Sequence, residues 1–277
     1  MTRNVNLLID RMPEKLRKMN ARDYQVVKAN ALIQKTRYDL TLQEQKIILH
    51  VIQLIKPEDK EFHRYLLSIK EYCQICEMNY KSGKNYENIK KSLKSLRDKS
   101  FWLETENGTE TLMSWLSKVR IFENKGTIEV ELDNDLKPYL LELKKFFTKY
   151  KYLYVMAMRS NYSIRLYELL KSYENQRGIR LTIEQLRKML GIGEKKLTKW
   201  YDIRRYVIDQ AQKEINELTD IQVKYTTVKQ GRSVYAVDFH IFTKDGKLQN
   251  VAQMRVENRL KKVKDDYRLL DSWGKDR

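Results

Sequence analysis

The stretch RLTIEQLRKMLGIGEKKLTKWYDIRRYVIDQAQKEINELTDIQVKYTTVKQGRSVYAVDFHI, from Arg180 to Ile241, decides the fold. Arg180-Leu181-Thr182 reads as a short strand. From Ile183 to Leu190, Leu186 and Leu190 fall on one side of a short helix. Gly191-Ile192-Gly193 ends it, because glycine takes the left-handed cap at little cost. The spacing then predicts a longer helix over 199–218, with Trp200, Ile203, Val207, Ala211, Ile215 and Leu218 inward. Ile221, Val223 and Tyr225 alternate, and so do Tyr235, Val237, Phe239 and Ile241 after a turn at 229–233. Ahead of all this, Ser160 to Glu174 reads as an amphipathic helix with Ile164, Tyr167, Leu169 and Leu170 inward. Helix, strand, helix, turn, helix, two-stranded hairpin is the winged-helix order.

The first half follows the same grammar. Thr41 precedes Glu44 by three residues, a capping-box spacing. Leu42, Gln45, Ile48, Leu49, Ile52 and Ile55 follow at helical intervals, and Pro57 lies past the helix end. Tyr65 to Ile69 is a short strand, 69–78 a short helix and 85–98 a second helix with the stripe Ile89, Leu93 and Leu96. Strand residues 101–105 lead through Asn107-Gly108 to a strand over 111–122, since Asn-Gly between β-prone runs signals a hairpin. A turn at 124–126 precedes the alternating strand 127–132. Residues 135–145 read as helical, with Pro138 in the first turn. The aromatic run 145–158 reads as an extended connection. The expected architecture is α+β, with two tandem winged-helix domains. A flexible arm spans 1–20, the first domain 21–143, the second 144–245 and a charged tail 246–277, helical near 248–270.

Composition narrows the partner. The 277 residues carry 55 Lys and Arg against 37 Asp and Glu, a net charge of +18. So large a surplus calls for a polyanion, either nucleic acid or an anionic membrane surface. No run of about 18 apolar residues exists to span a bilayer. The N-terminal apolar stretch is too short for a signal peptide, and a basic amphipathic helix with a large apolar face is lacking. The expected compartment is a reducing cytoplasm. Cys73 and Cys76 form a lone CxxC without a second pair nearby, better read as two small buried side chains than as a metal or redox site.

The basic residues sit where a winged helix would meet duplex DNA. Lys195, Lys196, Lys199, Arg204 and Arg205 gather at the start of helix 199–218, the end that touches base edges. Arg205 points away from the inward stripe, and Arg204 lies close to its edge, so its exposure depends on being near the helix N-terminus. Arg suits guanine edges through two parallel hydrogen bonds, and Arg or Lys serves phosphates. Lys229 and Arg232 occupy the tip of the hairpin, where a wing reaches the backbone. On helix 85–98, Lys90, Lys91 and Lys94 point away from Ile89, Leu93 and Leu96, in a run of lopsided sign.

Catalytic constellations are missing. His50, His63 and His240 show no HxH or HExxH spacing, and a nickase would need paired metal-binding histidines beside a tyrosine nucleophile. Gly191-Ile-Gly193-Glu-Lys195 lacks the GxxxxGK[ST] spacing of a phosphate loop and follows a helix rather than a strand. No catalytic residue, metal or cofactor is expected.

Ser160-Asn161-Tyr162-Ser163-Ile164-Arg165-Leu166-Tyr167-Glu168-Leu169-Leu170 resembles the opening helix of the second domain in iteron-binding plasmid replication initiators. Ile203-Arg204-Arg205-Tyr206-Val207-Ile208, with Ala211, Lys213-Glu214-Ile215-Asn216 and Thr219, resembles their reading helix. Val223-Lys224-Tyr225, Lys229 to Arg232 and Val237-Asp238-Phe239 resemble their wing. Val27 to Ile33 and Thr41 to Lys46 are similar to the family's opening. The resemblance spans about residues 24–243. It implies two winged-helix domains in pseudo-twofold relation, monomers on direct origin repeats and dimers that repress their own synthesis. It also implies origin opening, and recruitment of a host initiator and replicative helicase without catalysis. The same fold serves a transcriptional repressor with no replication role, the alternative that residues alone leave open.

Overall fold

The computed structural model describes residues 25–70, 73, 83–104 and 108–272. The arm expected over 1–20 lies outside them, as do Cys76 and most of the helix expected over 69–78, of which Ile69, Lys70 and Cys73 are helical.

The first unit runs β1 (Gln25–Ala29), α1 (Asn30–Gln34), β2 (Thr36–Arg37), α2 (Leu42–Ile52), β3 (Tyr65–Ser68), α3 (Gly83–Asp98), β4 (Ser100–Glu104), β5 (Glu110–Ser114), β6 (Leu116–Phe122), β7 (Thr127–Leu132) and α4 (Lys137–Leu140). The capping box at Thr41 forms, since its hydroxyl accepts from Glu44 N–H and the Glu44 carboxylate accepts from Thr41 N–H. Ile89, Leu93 and Leu96 of α3 are buried, as the periodicity requires. The strand expected over 111–122 is bent at Trp115, so that β5 pairs with β4 and β6 with β7. Trp115 is fully buried against Phe101 and Tyr38, with ring centroids 4.5 and 5.0 Å away. A straight strand could not bury that indole while serving two sheets.

The aromatic run after α4 corrects the expectation of an extended connection. It forms β8 (Phe147–Lys151) and then a helix, α5 (Tyr152–Met156). Burial of Tyr152, Tyr154, Val155 and Met156 selects the helix. The helix expected over 135–145 is shorter, a 3-10 turn (Asn134–Leu136) leading into α4, beyond which Glu142 and Phe146 take left-handed backbone angles. β8 pairs antiparallel with β1 over its whole length.

The second unit comprises α6 (Asn161–Ser172), β9 (Gly178–Thr182), α7 (Ile183–Met189), α8 (Trp200–Ile203), a π turn (Arg204–Asp209), α9 (Gln210–Leu218), β10 (Ile221–Gln230) and β11 (Ser233–Thr243). Each unit builds one three-stranded wing sheet with equivalent order, β3-β7-β6 in the first and β9-β11-β10 in the second. In both, the strand ahead of the helix pair accepts the returning strand of the hairpin. The fold is two winged-helix units in tandem. The final helix, α10 (Gly246–Ser272), buries Ala252 and Val256, and its Arg259 reaches Glu214 of α9 at 3.1 Å.

Helix α6 is not amphipathic in the expected sense, because every residue from Ser163 to Leu170 is buried. It lies between the units and has partners on both sides. Glu168 pairs with Lys28 of β1 at 2.8 Å, accepts from the Tyr150 hydroxyl and faces Arg165 at 3.6 Å. Arg165 donates to the Tyr38 hydroxyl and to the carbonyls of Ile33 and Met189. Burial raises the Glu168 carboxyl, but Lys28 and Arg165 outweigh it and hold the group below the ordinary glutamate range. Asn161 donates to the Leu40 carbonyl and Gln34 to Ser172. A Cβ on Gly191 would lie 2.2 Å from the Tyr38 carbonyl oxygen, so the turn after α7 needs glycine both for its φ of +66° and for this approach.

Candidate nucleic-acid interface

The candidate interface comprises α7, the turn after it, and the helix 200–218. Thr182 caps α7 with a second capping box, to Gln185. Lys195, Lys196 and Lys199 are exposed on the turn. Lys196 also pairs with Asp39 of the first unit at 3.2 Å, and this partner raises its pKa. The turn is held from inside by Arg187, a residue that sequence reasoning missed. Its guanidinium donates to the carbonyls of Leu197 (2.7 Å), Gly193 (2.8 Å), Lys196 (2.8 Å) and Glu194 (3.3 Å). Leu197 has a φ of +48°, an uncommon conformation for a branched side chain. Such strain persists where surrounding contacts over-determine it, and Arg187 supplies them. Arg187→Ala should lower affinity for duplex DNA about tenfold, the equivalent of roughly one charged hydrogen bond. Amide exchange across residues 193–199 should quicken, and Arg187→Lys, which lacks the fork, should restore little.

The long helix contains the feature that exposes its arginines. At about 100° per residue an unbroken α-helix would carry Arg204 into the arc between Ile203 and Ile215. The π turn over Arg204–Asp209 adds one residue and rotates the rest of the helix by about 100°. Ile203, Val207, Ile208, Ala211 and Ile215 are then all buried, while Arg204, Arg205 and Tyr206 stand outside together. The expectation that Arg204 depends on the helix end for its exposure is replaced by this local change of pitch.

Neither arginine is loose. Arg204 meets Asp209 at 3.4 Å, and Asp209 accepts from the Tyr225 hydroxyl of β10 at 2.5 Å. Tyr225 and Asp209 together raise the Arg204 pKa. Arg205 donates to the Tyr201 hydroxyl at 3.1 Å and lies 5.4 Å from the centre of the Tyr206 ring. Tyr201 and Tyr206 are themselves exposed. Nothing in the sequence points to these four partners, because a tyrosine or aspartate on a polar face carries no distinctive spacing.

The wing closes with the pair Gln230–Ser233 around Gly231, whose φ is +62°. Lys229 and Arg232 are exposed beside this tip. A register shift after Val228 leaves Tyr235 as the bulged residue, half-exposed. Arg232, Ser233, Arg187, Glu194, Thr198 and Trp200 line a single cleft, so the wing tip and the turn face the same space. Of the seven expected residues in the second unit, Arg232 lines this cleft, and Lys195, Lys196, Lys199, Arg204, Arg205 and Lys229 are exposed on the turn, the helix and the hairpin. The remaining three lie on α3 of the first unit. There Lys91 is exposed, Lys90 reaches Glu123 at 3.2 Å and sits over the Tyr86 ring, and Lys94 pairs with Asp98.

The family model described as "Initiator Replication protein, WH1" matches residues 25–171, and that described as "Initiator Rep protein, WH2" matches residues 182–241. The chain belongs to this family of replication initiators. A replication initiation protein of Escherichia coli is 26% identical over 227 residues, covering 78% of this chain and 69% of that protein. An uncharacterized 27.6 kDa protein of Escherichia coli is 27% identical over 124 residues, 44% of this chain and 52% of that protein. The crystal structure of the Pi initiator protein in complex with iteron DNA matches with a TM-score of 0.64 at 17% identity. It covers 82% of this chain and 100% of that one, a likeness of fold. Among the described residues of this initiator, no helix is long and apolar enough to cross a membrane, and no cluster of His, Cys, Asp and Glu could hold a metal ion. Cys73 is buried, and burial raises its thiol pKa.

Proposed function

We propose that this plasmid replication initiator binds repeated origin sequences, iterons, in double-stranded DNA, with its second unit as the main reading head. One observation carries the reading. The turn after α7, the start of helix 200–218 and the wing tip line one cleft, and Arg204 and Arg205 stand exposed on that helix, on a chain of the initiator family. The helix 200–218 enters the major groove and Arg204 and Arg205 meet base edges. Lys195, Lys196, Lys199, Lys229 and Arg232 meet phosphates. Residues 21–143 supply further contacts through Lys90, Lys91 and Lys94 and carry the dimer surface, while 144–245 do most of the reading. The protein acts in the cytoplasm and without catalysis. It opens the origin, recruits the host initiator and helicase, and represses its own synthesis as a dimer.

Selection of bound fragments from random DNA tests the reading, and enrichment of a direct repeat is the expected result. Recovery of sequence-independent fragments overturns it. Incubation with supercoiled origin DNA and a divalent metal should leave no nick, whereas strand scission would establish an enzyme. Lys229→Ala should weaken cognate and random DNA alike. It should flatten the plot of log affinity against log salt by about 0.9, the value of one phosphate contact.

A further inference from the structure

Arg204 and Arg205 are braced in a way that DNA contact alone does not require. An unbraced arginine has several rotatable bonds, and binding must order them at an entropic cost. It is also free to settle on the nearest phosphate, which carries no sequence information. Arg204 has both freedoms curtailed, although its side chain stays exposed. Asp209 holds its Nε side at 3.4 Å and is itself held by Tyr225, which sits on a sheet strand packed against the same helix. The carboxylate adds a negative charge beside the guanidinium that repels a fully charged phosphate far more than the uncharged acceptor edge of a guanine. Arg205 is held on one side by the Tyr201 hydroxyl and on the other by the Tyr206 ring. The π turn makes the arrangement possible, since it exposes the two consecutive arginines and brings Asp209 into reach of Arg204.

We propose that Asp209 and Tyr225 are specificity-determining positioning residues, which aim the Arg204 guanidinium at the O6 and N7 edge of a guanine and keep it from a phosphate. Tyr201 and Tyr206 orient Arg205 by contact alone, without a repelling charge. The recognised repeat therefore has a guanine opposite each arginine. This rests on the reading of Arg204 and Arg205 as base contacts.

The test compares wild type, Asp209→Asn, Tyr225→Phe and Arg204→Ala in full-length protein. Each is measured against the selected repeat, against repeats changed singly at every guanine, and against random duplex, with denaturant midpoints recorded. Asp209→Asn and Tyr225→Phe should each reduce discrimination about tenfold at one guanine, the one that Arg204→Ala also releases. Discrimination elsewhere, the salt slope and the denaturant midpoint should hold. Asp209→Asn should also bind random duplex as well as wild type or better, because a repulsive charge is gone. A purely structural role would lower every affinity together with the midpoint, and that result overturns the proposal. So does unchanged discrimination in both variants while Arg204→Ala loses it. If Arg204→Ala itself keeps full discrimination, the reading of Arg204 as a base contact fails, and the positioning proposal with it.

Discussion

Glu168→Ala should lower folding stability by about 3–5 kcal/mol, because it strands the buried cations Lys28 and Arg165. The Lys28 side chain is 1% exposed and that of Glu168 fully buried, with 2.8 Å between the charges. Neither can reach water when its partner is removed. The readout is the urea midpoint at neutral pH. The pair spans the two units, with Lys28 on β1 and Glu168 on α6, so loss should also loosen the contact between them. The comparison that separates charge from packing is Lys28→Met with Glu168→Leu. Replacing both ions by apolar groups of similar size is often near neutral, but buried Arg165 then keeps only its neutral acceptors, so the double variant should recover part of the midpoint. If Glu168→Ala unfolds at the wild-type midpoint, the buried cluster contributes nothing. The pH dependence has a definite sign. The folded-state pKa of Glu168 is depressed, so its contribution is fully present above the unfolded value of about 4.3. It is lost as pH falls through the lower folded value, and Glu168→Leu should remove that part of the acid transition.

Much of the fold was legible because local signals and burial agreed. The Thr41–Glu44 capping box, the stripe Ile89-Leu93-Leu96, the alternation over 127–132 and the turn at Gly231 each place one element, and each has a local cause. The departures come from tertiary demands that a single element does not display. Helix α6 carries Arg165 and Glu168 on what periodicity takes for an outer face, and only contact with β1, α1 and β8 makes that face interior. Trp115 bends a strand because two sheets share it. Residues 152–156 become helical because their aromatic rings find a core. For the interface, charge and position in the hairpin pointed to Lys195 through Arg205 and to Lys229 and Arg232. The sequence could not supply the change in pitch at Arg204, since a π turn has no residue signature. Nor could it supply the clasp of Arg187, whose partners are carbonyl groups.

Arg204→Ala with Arg205→Ala should abolish preference for the cognate repeat while leaving binding to random duplex largely intact. A bidentate arginine–guanine contact discriminates by roughly tenfold to somewhat over a hundredfold. Two such losses approach the gap between specific and non-specific binding, which begins near a thousandfold. The two effects should not add fully, because the residues are neighbours on one turn and share the geometry of one groove. The salt slope distinguishes this from loss of phosphate contacts. A guanidinium on a base edge releases few condensed counterions, so the double variant should keep a slope close to wild type, unlike Lys229→Ala. Stability should hold, since both side chains are exposed and the residues that carry the helix core, Ile203, Val207 and Ile208, are untouched. A double variant that keeps its sequence preference would move the reading head elsewhere, with α3 of the first unit as the next basic surface. A variant that loses random and cognate binding equally, with a slope lower by about two contacts, would place both arginines on phosphates instead.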